Sequence, residues 1–483
     1  MRFISGGMQG RSTGSGMRGK RSMRSGASQP PPPDPVETPN WFVSPTGGAT
    51  SGTAGDKDNP FALSYALNGA GGRIGPGHLV YLLDGTYTYS SIIMNLSGAA
   101  GSPIRFKPEP GAWVKFVSTN VGTQGLTLRT VHYVEFYDIE FTVTEAYDRT
   151  VQTTSSSPGC HVITGSGGYV QSHVKFFGCY FHDHKGMGIK FWEYTAEGIE
   201  FNGCLTWYNG NDPSHDHNSY DHNEGTYPRL LKDCIYHNAA GFNYHCYDDG
   251  ARPINNFHFD GCVFYKAGGL YSQTPRQNLL IGGNGSDGYN NKVENCFLFD
   301  TTGNSTHTLR VGYGDTALMF NTTIRNNISV GRPWRIENGG EGYVIENNRV
   351  YFGTGMSTIT RDRLTGNGNV LAAVPTTGKD IFVRAYDWDS KRANIVIYNH
   401  EQASTVSITH AMLAAAGVNI QAGATFKLIN TGDPLNDIIT GTYNGSEITV
   451  SMVDRTVQVP FGGIPAPAST FPRFGCFILR VTS

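Results

Sequence analysis

Short runs of alternating apolar and polar residues recur along the middle of the chain, and each run ends at a turn. Eight runs align: Val134–Ile139, Val174–Cys179, Ile199–Cys204, Leu230–Cys234, Phe257–Cys262, Val293–Cys296, Ile324–Asn327 and Ile345–Asn348. This alternation is typical of a short, half-buried strand. Their final positions lie 21 to 40 residues apart, a period at which one strand of each repeat stacks on the next. The pattern predicts a parallel β-helix whose loops vary in length.

Five cysteines occupy one equivalent position of the repeat and are predicted to stack inside the solenoid. They are Cys179, Cys204, Cys234, Cys262 and Cys296, and Asn327 and Asn348 continue the column. Neighbouring coils lie about 4.8 Å apart, so the thiols would form a ladder of small buried side chains. Because in-register neighbours on parallel strands do not readily adopt disulfide geometry, we expect free thiols.

The segments on either side of the repeat differ from it in composition and in hydrophobic pattern. The first part is a Gly, Ser, Met and Arg arm with six basic residues before Asp34, followed by the stiff spacer Pro30–Pro33. From Ile381 onward, short alternating strands predict a small antiparallel sandwich. The predicted domains are the arm and linker over 1–40, a β-helix over 41–375 and a β-sandwich over 376–483. No window is apolar enough to span a membrane, and no secretory signal peptide is recognised at the start.

Two regions resemble a known family. Trp41–Gly48, a short helical segment after it and the strand near His78–Tyr87 resemble the opening of right-handed parallel β-helix proteins of the pectate-lyase-like superfamily. Tyr398-Asn399 and Gly441–Gly445 are similar to the C-terminal β-sandwich module of uncharacterised bacterial β-helix proteins. The resemblance implies an all-β fold, with a right-handed parallel β-helix followed by a small antiparallel β-sandwich. The low-complexity basic arm precedes both and lies outside the resemblance.

Composition suits this architecture and limits the choice of partner. Gly accounts for 62 of the 483 residues, and charged residues for 16%, which favours turn-rich strands over long charged helices. Lys plus Arg number 37 against 39 for Asp plus Glu, which leaves a net charge of -2. Broad neutralisation of duplex phosphates would need a positive excess, so we expect no specific nucleic-acid partner.

Aromatic and polar residues concentrate between His182 and Asp287. Loops that leave successive coils of a β-helix at the same edge lie side by side, so residues one repeat apart become neighbours. Aromatic rings stack on the apolar faces of pyranose sugars while polar groups bond the hydroxyls. The segment therefore predicts a polysaccharide-binding surface with these candidate contacts: Trp207, Tyr208, His217, Tyr220, Tyr247, Tyr271 and Arg276.

His245 is the best candidate for a general base. The run Gly241–His245 loosely resembles the Tyr-Gly-Phe-Asp-Pro-His-Asp motif of β-helix alginate epimerases, but Asn243 replaces the acid and only His245 carries over. β-Elimination from a uronate needs a base, an acid and nearby positive charge. The candidate acids are Tyr244 and Tyr247, and the candidate cations are Arg252, Lys266 and Arg276.

Carboxylates support two further hypotheses. A glycoside hydrolase would need a pair of them, and four are candidates: Asp221, Glu224, Asp248 and Asp249. An overlapping cluster makes Ca²⁺ the candidate cofactor, because oxygen ligands on loops suit this ion: Asp212, Asp216, Asp221 and Glu224. A transition-metal site is the alternative, because neutral imidazole is a common ligand of such ions. Two histidine pairs could supply ligands, but the sequence names no third or fourth one: His182/His184 and His215/His217.

Three functions remain open from the sequence. We expect a tailspike-like protein, displayed on a cell surface or virion, that recognises and, if catalytic, depolymerises a polysaccharide, while its basic arm binds other structural proteins of an assembly. The first alternative is an exported polysaccharide lyase or glycoside hydrolase. The second is a non-catalytic structural or adhesive coat or appendage protein. The expected location is extracellular or virion surface, and assembly into a homo-oligomer stays open.

Overall fold

The computed structural model describes residues 37–48, 55–121, 124–129, 131–144, 147–152, 158–163, 171–191, 196–248, 250, 252–271, 276–301, 306–313, 317–337 and 339–482. The predicted arm lies outside these residues except for its last four positions. From Pro39 to Ser483 the chain forms one compact unit, which therefore includes both the parallel strands and the C-terminal antiparallel ones.

Three long parallel sheets build the solenoid, and successive coils contribute one strand to each. Sheet one contains Trp41–Val43, Leu79–Leu82, Ile104–Pro108, Val134–Tyr137, Lys175–Phe177, Glu200–Asn202, Arg229–Lys232, Phe257–Asp260, Lys292–Glu294, Thr323–Arg325 and Val344–Glu346. Sheet two contains Ile92–Met94, Leu126–Arg129, Cys160–Ile163, Ile189–Phe191, Ser219–Asp221, Tyr244–Cys246, Leu279–Ile281, Leu309–Val311 and Arg335–Ile336. Sheet three contains Gly85–Tyr89, Val114–Ser118, Ile139–Val143, Tyr180–His182, Leu205–Trp207, Ile235–His237, Val263–Tyr265, Phe297–Phe299, Ile328–Gly331, Arg349–Phe352 and Val370–Ala372. The predicted right-handed parallel β-helix is confirmed.

The interior consists of columns of like residues, because the coils stack in register. Phe106, Phe136, Phe176 and Phe201 of sheet one form a stacked column with ring centroids 5.6, 5.2 and 4.8 Å apart. All four rings are buried, and burying one such side chain contributes about 1.5–3 kcal/mol. The register that builds these columns also fixes which residues face outward on every sheet.

A residue with left-handed backbone makes the bend between sheet one and sheet three. Gly178, Gly203 and Gly261 have φ of 62°, 64° and 68° there. Positive φ is strained for most residues and least so for Gly, Asn and Asp. The equivalent bends use those residue types: Asp138, Asp233, Asn295, Asn326 and Asn347. The turn chemistry therefore explains the Gly, Asp or Asn that precedes each position of the cysteine column.

The cysteine column has the predicted form. All eight cysteines of the chain are buried and free, which confirms the expected thiol state. Asn327 and Asn348 continue the column, and Asn369 extends it by one coil that the sequence pattern did not predict. Each asparagine donates to the next, from Nδ2 of Asn327 to Oδ1 of Asn348 and from Nδ2 of Asn348 to Oδ1 of Asn369, both at 2.9 Å.

Asn348→Ala is expected to lower the free energy of unfolding by about 3 kcal/mol. The buried Asn348 amide accepts from the backbone and side chain of Asn327 and donates to the carbonyl of Ile324 and to Asn369. Its loss leaves several buried polar groups without partners, at about 1–3 kcal/mol each before relaxation. Urea denaturation checks the change. Asn59→Ala, at an exposed position, is the matched control and should shift stability by less than about 0.5 kcal/mol.

An antiparallel sandwich follows the last coil, as predicted. Its five-stranded sheet contains, in spatial order, Lys379–Tyr386, Asp389–Asn399, Phe474–Val481, Thr425–Asn430 and Ile438–Thr442. Its two-stranded sheet pairs Thr405–Thr409 with Glu447–Ser451. Elsewhere in the chain, two small parallel sheets pair Gln171–Ser172 with Ala196–Glu197 and Gly288–Tyr289 with Met319–Phe320. The helices are Leu63–Leu67, Thr358–Leu364 and His410–Ala415, with a 3₁₀ turn at Gly69–Gly72. None of the described helices is long and apolar enough to cross a membrane.

The sandwich packs on the outer face of sheet three. Trp207 and Phe299 of that sheet share one buried apolar cluster with Tyr398 and Phe474 of the sandwich. Ion pairs border the contact, including Nε of Arg384 with Oδ1 of Asp233 at 2.6 Å. This contact removes most of the outer face of sheet three from solvent, which limits where a large ligand can bind.

Candidate functional site

Sheet two presents every second residue of its strands to the outside. Tyr244 and Cys246 belong to the interior cluster, so the residue between them, His245, faces outward. His245 is in register with Tyr220 on one neighbouring strand and Leu280 on the other. The outward column of sheet two therefore runs through Lys190, Tyr220, His245, Leu280, Arg310 and Arg335.

Aromatic rings surround His245. Its imidazole lies parallel to the rings of Phe242 and Tyr247, with centroids 4.1 and 4.9 Å away. The rings of His217 and Tyr220 meet it edge-on at 4.5 and 5.3 Å. Tyr313 continues the group, edge-on to Tyr247 at 5.1 Å. We call these residues the sheet-two cluster: His217, Tyr220, Phe242, His245, Tyr247 and Tyr313.

Arginines border the sheet-two cluster. The Arg310 guanidinium lies 4.3 Å from the centroid of the Tyr313 ring, and that of Arg276 lies 5.8 Å from the Phe242 ring. Nε of Arg276 donates to the carbonyl of Pro213 at 2.8 Å. Arg310 and Arg335 are register partners on adjacent strands, so two cations project from the same face about 4.8 Å apart at the backbone. Arg335 forms an ion pair with Glu337, so the positive charge beside the cluster comes mainly from Arg276 and Arg310.

Burial holds the two histidines of the cluster neutral. It lowers the pKa of His217 to about 3, with Arg276 acting in the same direction. It lowers the pKa of His245 well below its ordinary value, and His217 and Arg276 lower it further. Nδ1 of His217 accepts the backbone N–H of Phe242 at 3.2 Å, as a neutral ring can. Near neutral pH both imidazoles are flat polar rings and weak bases.

Tyr244, one of the two candidate acids, lies inside the solenoid. Its hydroxyl donates to Oδ2 of Asp221 at 2.8 Å, and Asp221 forms an ion pair with Arg229, with Nε and Oδ2 2.8 Å apart. Burial, with the charge of Asp221, raises the pKa of Tyr244 well above its ordinary value. Burial also raises the pKa of Asp221 to about 6, against the effect of Arg229. Neither residue faces the surface that a polysaccharide could reach.

Asp248 and Arg252 lie on the chain just after the His245 strand and hold a turn. Oδ1 of Asp248 accepts the N–H groups of Gly250 and Arg252 at 2.9 and 3.2 Å. Arg252 lies 3.0 Å from Nε2 of His222 and 3.7 Å from Oε1 of Glu224. Burial raises the pKa of Glu224, with Arg252 opposing and Asp248 adding to the effect. Asp249, the remaining candidate for a hydrolase pair, lies outside the described residues.

Four other predicted residues are held away from the cluster. Trp207 stacks on His182 at 4.2 Å beneath the sandwich, and the hydroxyl of Tyr208 donates to the carbonyl of Gln458 at 2.7 Å. Nζ of Lys266 donates to the carbonyl of Ala468, and burial lowers its pKa to about 8. The hydroxyl of Tyr271 donates to Oδ1 of Asn211 at 2.8 Å. The structure thus brings together His217, Tyr220, His245, Tyr247 and Arg276.

The acids proposed for Ca²⁺ have protein partners of their own. Oδ2 of Asp216 accepts the N–H groups of Asn211 and Asp212 at 3.1 and 2.9 Å, and Oδ2 of Asp212 lies 3.2 Å from Nδ1 of His215. Asp221 faces the interior with Arg229. Among the residues that the structure describes, no three His, Cys, Asp or Glu side chains come together to hold a metal ion.

Three members of the site were not among the predicted contacts. Phe242, Tyr313 and Arg310 complete the ring stack and its charged border. Arg310 lies between the interior residues Leu309 and Val311, so its place on the outer face follows from strand register. Phe242 and Tyr313 lie outside the strands Tyr244–Cys246 and Leu309–Val311, so the loops place them and register does not. Alignment of the sheet-two strands would have found Arg310, but only the strand of sheet one repeats clearly in the sequence.

No protein-family model and no curated protein matches the chain. Solved structures similar to it include pectate lyase Pel9A, at 16% identity over 64% of this chain and 78% of that one, with a TM-score of 0.40. Another is the tailspike gp49 of Acinetobacter baumannii bacteriophage Fri1, a capsular polysaccharide depolymerase, at 11% identity over 92% and 86%, with a TM-score of 0.36. A third is the GH136 lacto-N-biosidase from Eubacterium ramulus, at 12% identity over 69% and 67%, with a TM-score of 0.39. The likeness concerns the fold, and we draw no functional conclusion from it.

Proposed function

We propose that the chain binds an acidic polysaccharide along the outer face of sheet two. The observation that carries the proposal is the parallel stack of Phe242, His245 and Tyr247, bordered by Arg276 and Arg310. Sugar rings have apolar faces that stack on aromatic side chains, and arginine pairs with carboxylates through two parallel hydrogen bonds. Tyr247 and Tyr313 are the partly exposed rings of the cluster, and Arg276 and Arg310 are partly exposed beside them, so the same small area offers both kinds of contact.

The length of the site suits a polymer. A ligand that runs parallel to the solenoid axis crosses successive coils of sheet two, where Arg310 and Arg335 are partly exposed register partners on adjacent strands. Each of these residues is fixed by a strand, so the surface is organised before the ligand arrives and loses little entropy on binding. Polysaccharides of this kind lie outside cells, so the proposed location is extracellular or on a virion.

Tyr247→Ala is expected to weaken binding of polygalacturonate by about tenfold. The loss of one stacked ring removes about 1–1.5 kcal/mol of contact free energy. Isothermal titration calorimetry with purified full-length chain provides the measurement, and dextran serves as the uncharged polymer. Tyr227→Ala is the matched control, because Tyr227 is an exposed tyrosine outside the cluster. Equal affinities of the two variants, or equal binding of dextran, would remove the site from this role.

A lyase is the second candidate function, and one observation favours it. Nδ1 of His245 makes no hydrogen bond with any residue that the structure describes, and burial keeps the ring neutral, so the nitrogen has the protonation state of a general base, although the same burial makes it a weak one. The appearance of unsaturated products from polygalacturonate, measured by ultraviolet absorbance and lost in His245→Gln, would establish the lyase. Binding without such products would leave recognition as the function of the site.

A further inference from the structure

A cavity lies where the first coils of sheet three meet the sandwich. It has a volume of about 740 Å³. Its walls come from the segment 107–115, from Asp138 and Glu140 of the next coil, and from sandwich residues that include Arg392, Lys427 and Arg480. We call it the Trp113 groove. It lies beside sheet three, whereas the sheet-two cluster lies on another sheet.

Trp113 is an exposed ring that the groove holds in a fixed orientation. Its side chain is 42% exposed, yet its indole N–H donates to Oε2 of Glu140 at 2.8 Å and its backbone N–H to Oδ1 of Asp84 at 2.7 Å. The edge of the indole meets Tyr180, with centroids 5.8 Å apart. A large ring that is both exposed and fixed is a ready platform for the apolar face of a ligand.

Positive charge exceeds negative charge in the groove. Five basic and three acidic side chains line it. Burial alone would raise the pKa of Asp138, but Arg392 and Arg480 hold it below its ordinary value, and Lys115 with His182 lowers the pKa of Glu140 to about 2. Both acids are therefore ionised at neutral pH and are engaged by those cations.

Lys427 is the cation that this network leaves for a ligand. It lies exposed on the strand Thr425–Asn430 and forms no ion pair within the part of the chain that the structure describes. Apolar side chains complete the walls beside it: Pro108, Pro110, Ile429, Pro434, Leu435 and Ile438. A matching ligand has flat apolar faces and carries negative charge, which is the chemistry of an oligosaccharide that contains uronic acid.

We propose that the Trp113 groove binds an acidic oligosaccharide, independently of the sheet-two cluster. The sugar face stacks on the indole, and its carboxylate meets Lys427. The contact joins the first coils to the sandwich, so a bound sugar bridges the two parts of the compact unit. A neutral sugar can use the ring but gains nothing from the cation.

Trp113→Ala and Lys427→Glu test the proposal, with tetragalacturonate as the probe and maltotetraose as the neutral comparison. Both variants are made in full-length chain that also carries Tyr247→Ala, so that the sheet-two cluster contributes little. We expect calorimetry to show about a tenfold loss of tetragalacturonate affinity for each variant. Lys379→Glu is the matched control, because Lys379 is a partly exposed lysine of the sandwich outside the groove, and it should change affinity less than twofold.

This design tests the Trp113 groove and the sheet-two cluster separately, so the proposal for one can be contradicted without the other. Persistent tetragalacturonate binding in Tyr247→Ala that disappears with Lys427→Glu supports the groove, whatever the sheet-two cluster binds. Unchanged affinity in Trp113→Ala and Lys427→Glu, or equal affinity for maltotetraose, would overturn the proposal. Lys427→Glu alters an exposed side chain, so it tests the groove even if Trp113→Ala lowers stability.

Discussion

Replacement of Arg149 by methionine is expected to lower the free energy of unfolding by about 3–5 kcal/mol. The guanidinium is completely buried and forms an ion pair with Asp183, with NH1 and Oδ1 3.1 Å apart. It also donates to the carbonyls of His184, Tyr208 and Phe461. Methionine fills similar space but leaves the Asp183 charge and three carbonyls without this donor. Because Phe461 belongs to the C-terminal part, the loss also loosens the contact between sandwich and solenoid.

Urea denaturation, monitored by circular dichroism, measures the Arg149 effect. Arg129→Met is the control, because Arg129 is an exposed arginine of sheet two, and it should change stability by less than about 0.5 kcal/mol. Addition of Asp183→Asn to Arg149→Met should recover part of the loss, because it removes a buried charge that has lost its arginine partner. If Arg149→Met and Arg129→Met unfold at the same urea concentration, the buried pair does not hold these elements together.

The fold was predictable because each coil repeats a local pattern. Nearly every coil repeats three features: a strand of sheet one, a left-handed bend at Gly178 or its equivalents, and a small residue such as Cys179. Each coil stacks only on its neighbours, so this local pattern is enough to predict the solenoid. The Asn369 extension was not predictable because no strand of sheet one precedes it: the last strand of that sheet is Val344–Glu346, one coil earlier.

The site was only partly predictable, for two physical reasons. Adjacent strand residues face opposite sides, so Tyr244 lies inside while His245 lies outside, and a loose motif that contains both cannot tell which is which. Whether Trp207 and Tyr208 are exposed or buried depends on the sandwich. Its Gln458, which accepts from the Tyr208 hydroxyl, lies 250 residues further along the chain. No local pattern reports that such rings are covered, whereas coil spacing correctly brought His217 and Tyr220 to His245.

Stability is expected to fall as the pH drops from about 6.5 towards 4. Burial lowers the pKa of His184 and His222 to about 4, and that of His217 and His237 to about 3. These rings stay neutral in the folded chain over this range, but in the unfolded chain they bind protons near pH 6.5. The unfolded state therefore takes up more protons as pH falls, and each extra proton costs about 1.4 kcal/mol of stability per pH unit.

Two buried carboxyls oppose this loss in part. Burial raises the pKa of Asp233 to about 7 and that of Asp221 to about 6, against the effects of Arg384 and Arg229. Each binds a proton in the folded chain before its unfolded counterpart does, which favours folding between about pH 6 and 4. The buried imidazoles outnumber these two carboxyls, because the pKa values of His245 and His307 are lowered as well, so unfolding still takes up protons as the pH falls. The expected slope therefore exceeds the roughly 1.4 kcal/mol per pH unit that one imidazole contributes.

His237→Gln should make that slope shallower by about 1.4 kcal/mol per pH unit, because glutamine takes up no proton in either state. The His237 ring stacks on Tyr265 at 4.6 Å, and its Nδ1 lies 2.9 Å from Nδ2 of Asn238. A proton on this ring in the folded chain would therefore carry a charge that water cannot solvate. Urea titrations at pH 7, 6 and 5 supply the slopes. His215→Gln, at an exposed loop position, is the matched control for the substitution itself. A wild-type stability that stays flat or rises towards pH 5 would show that the carboxyls, and not the buried imidazoles, govern the acid response.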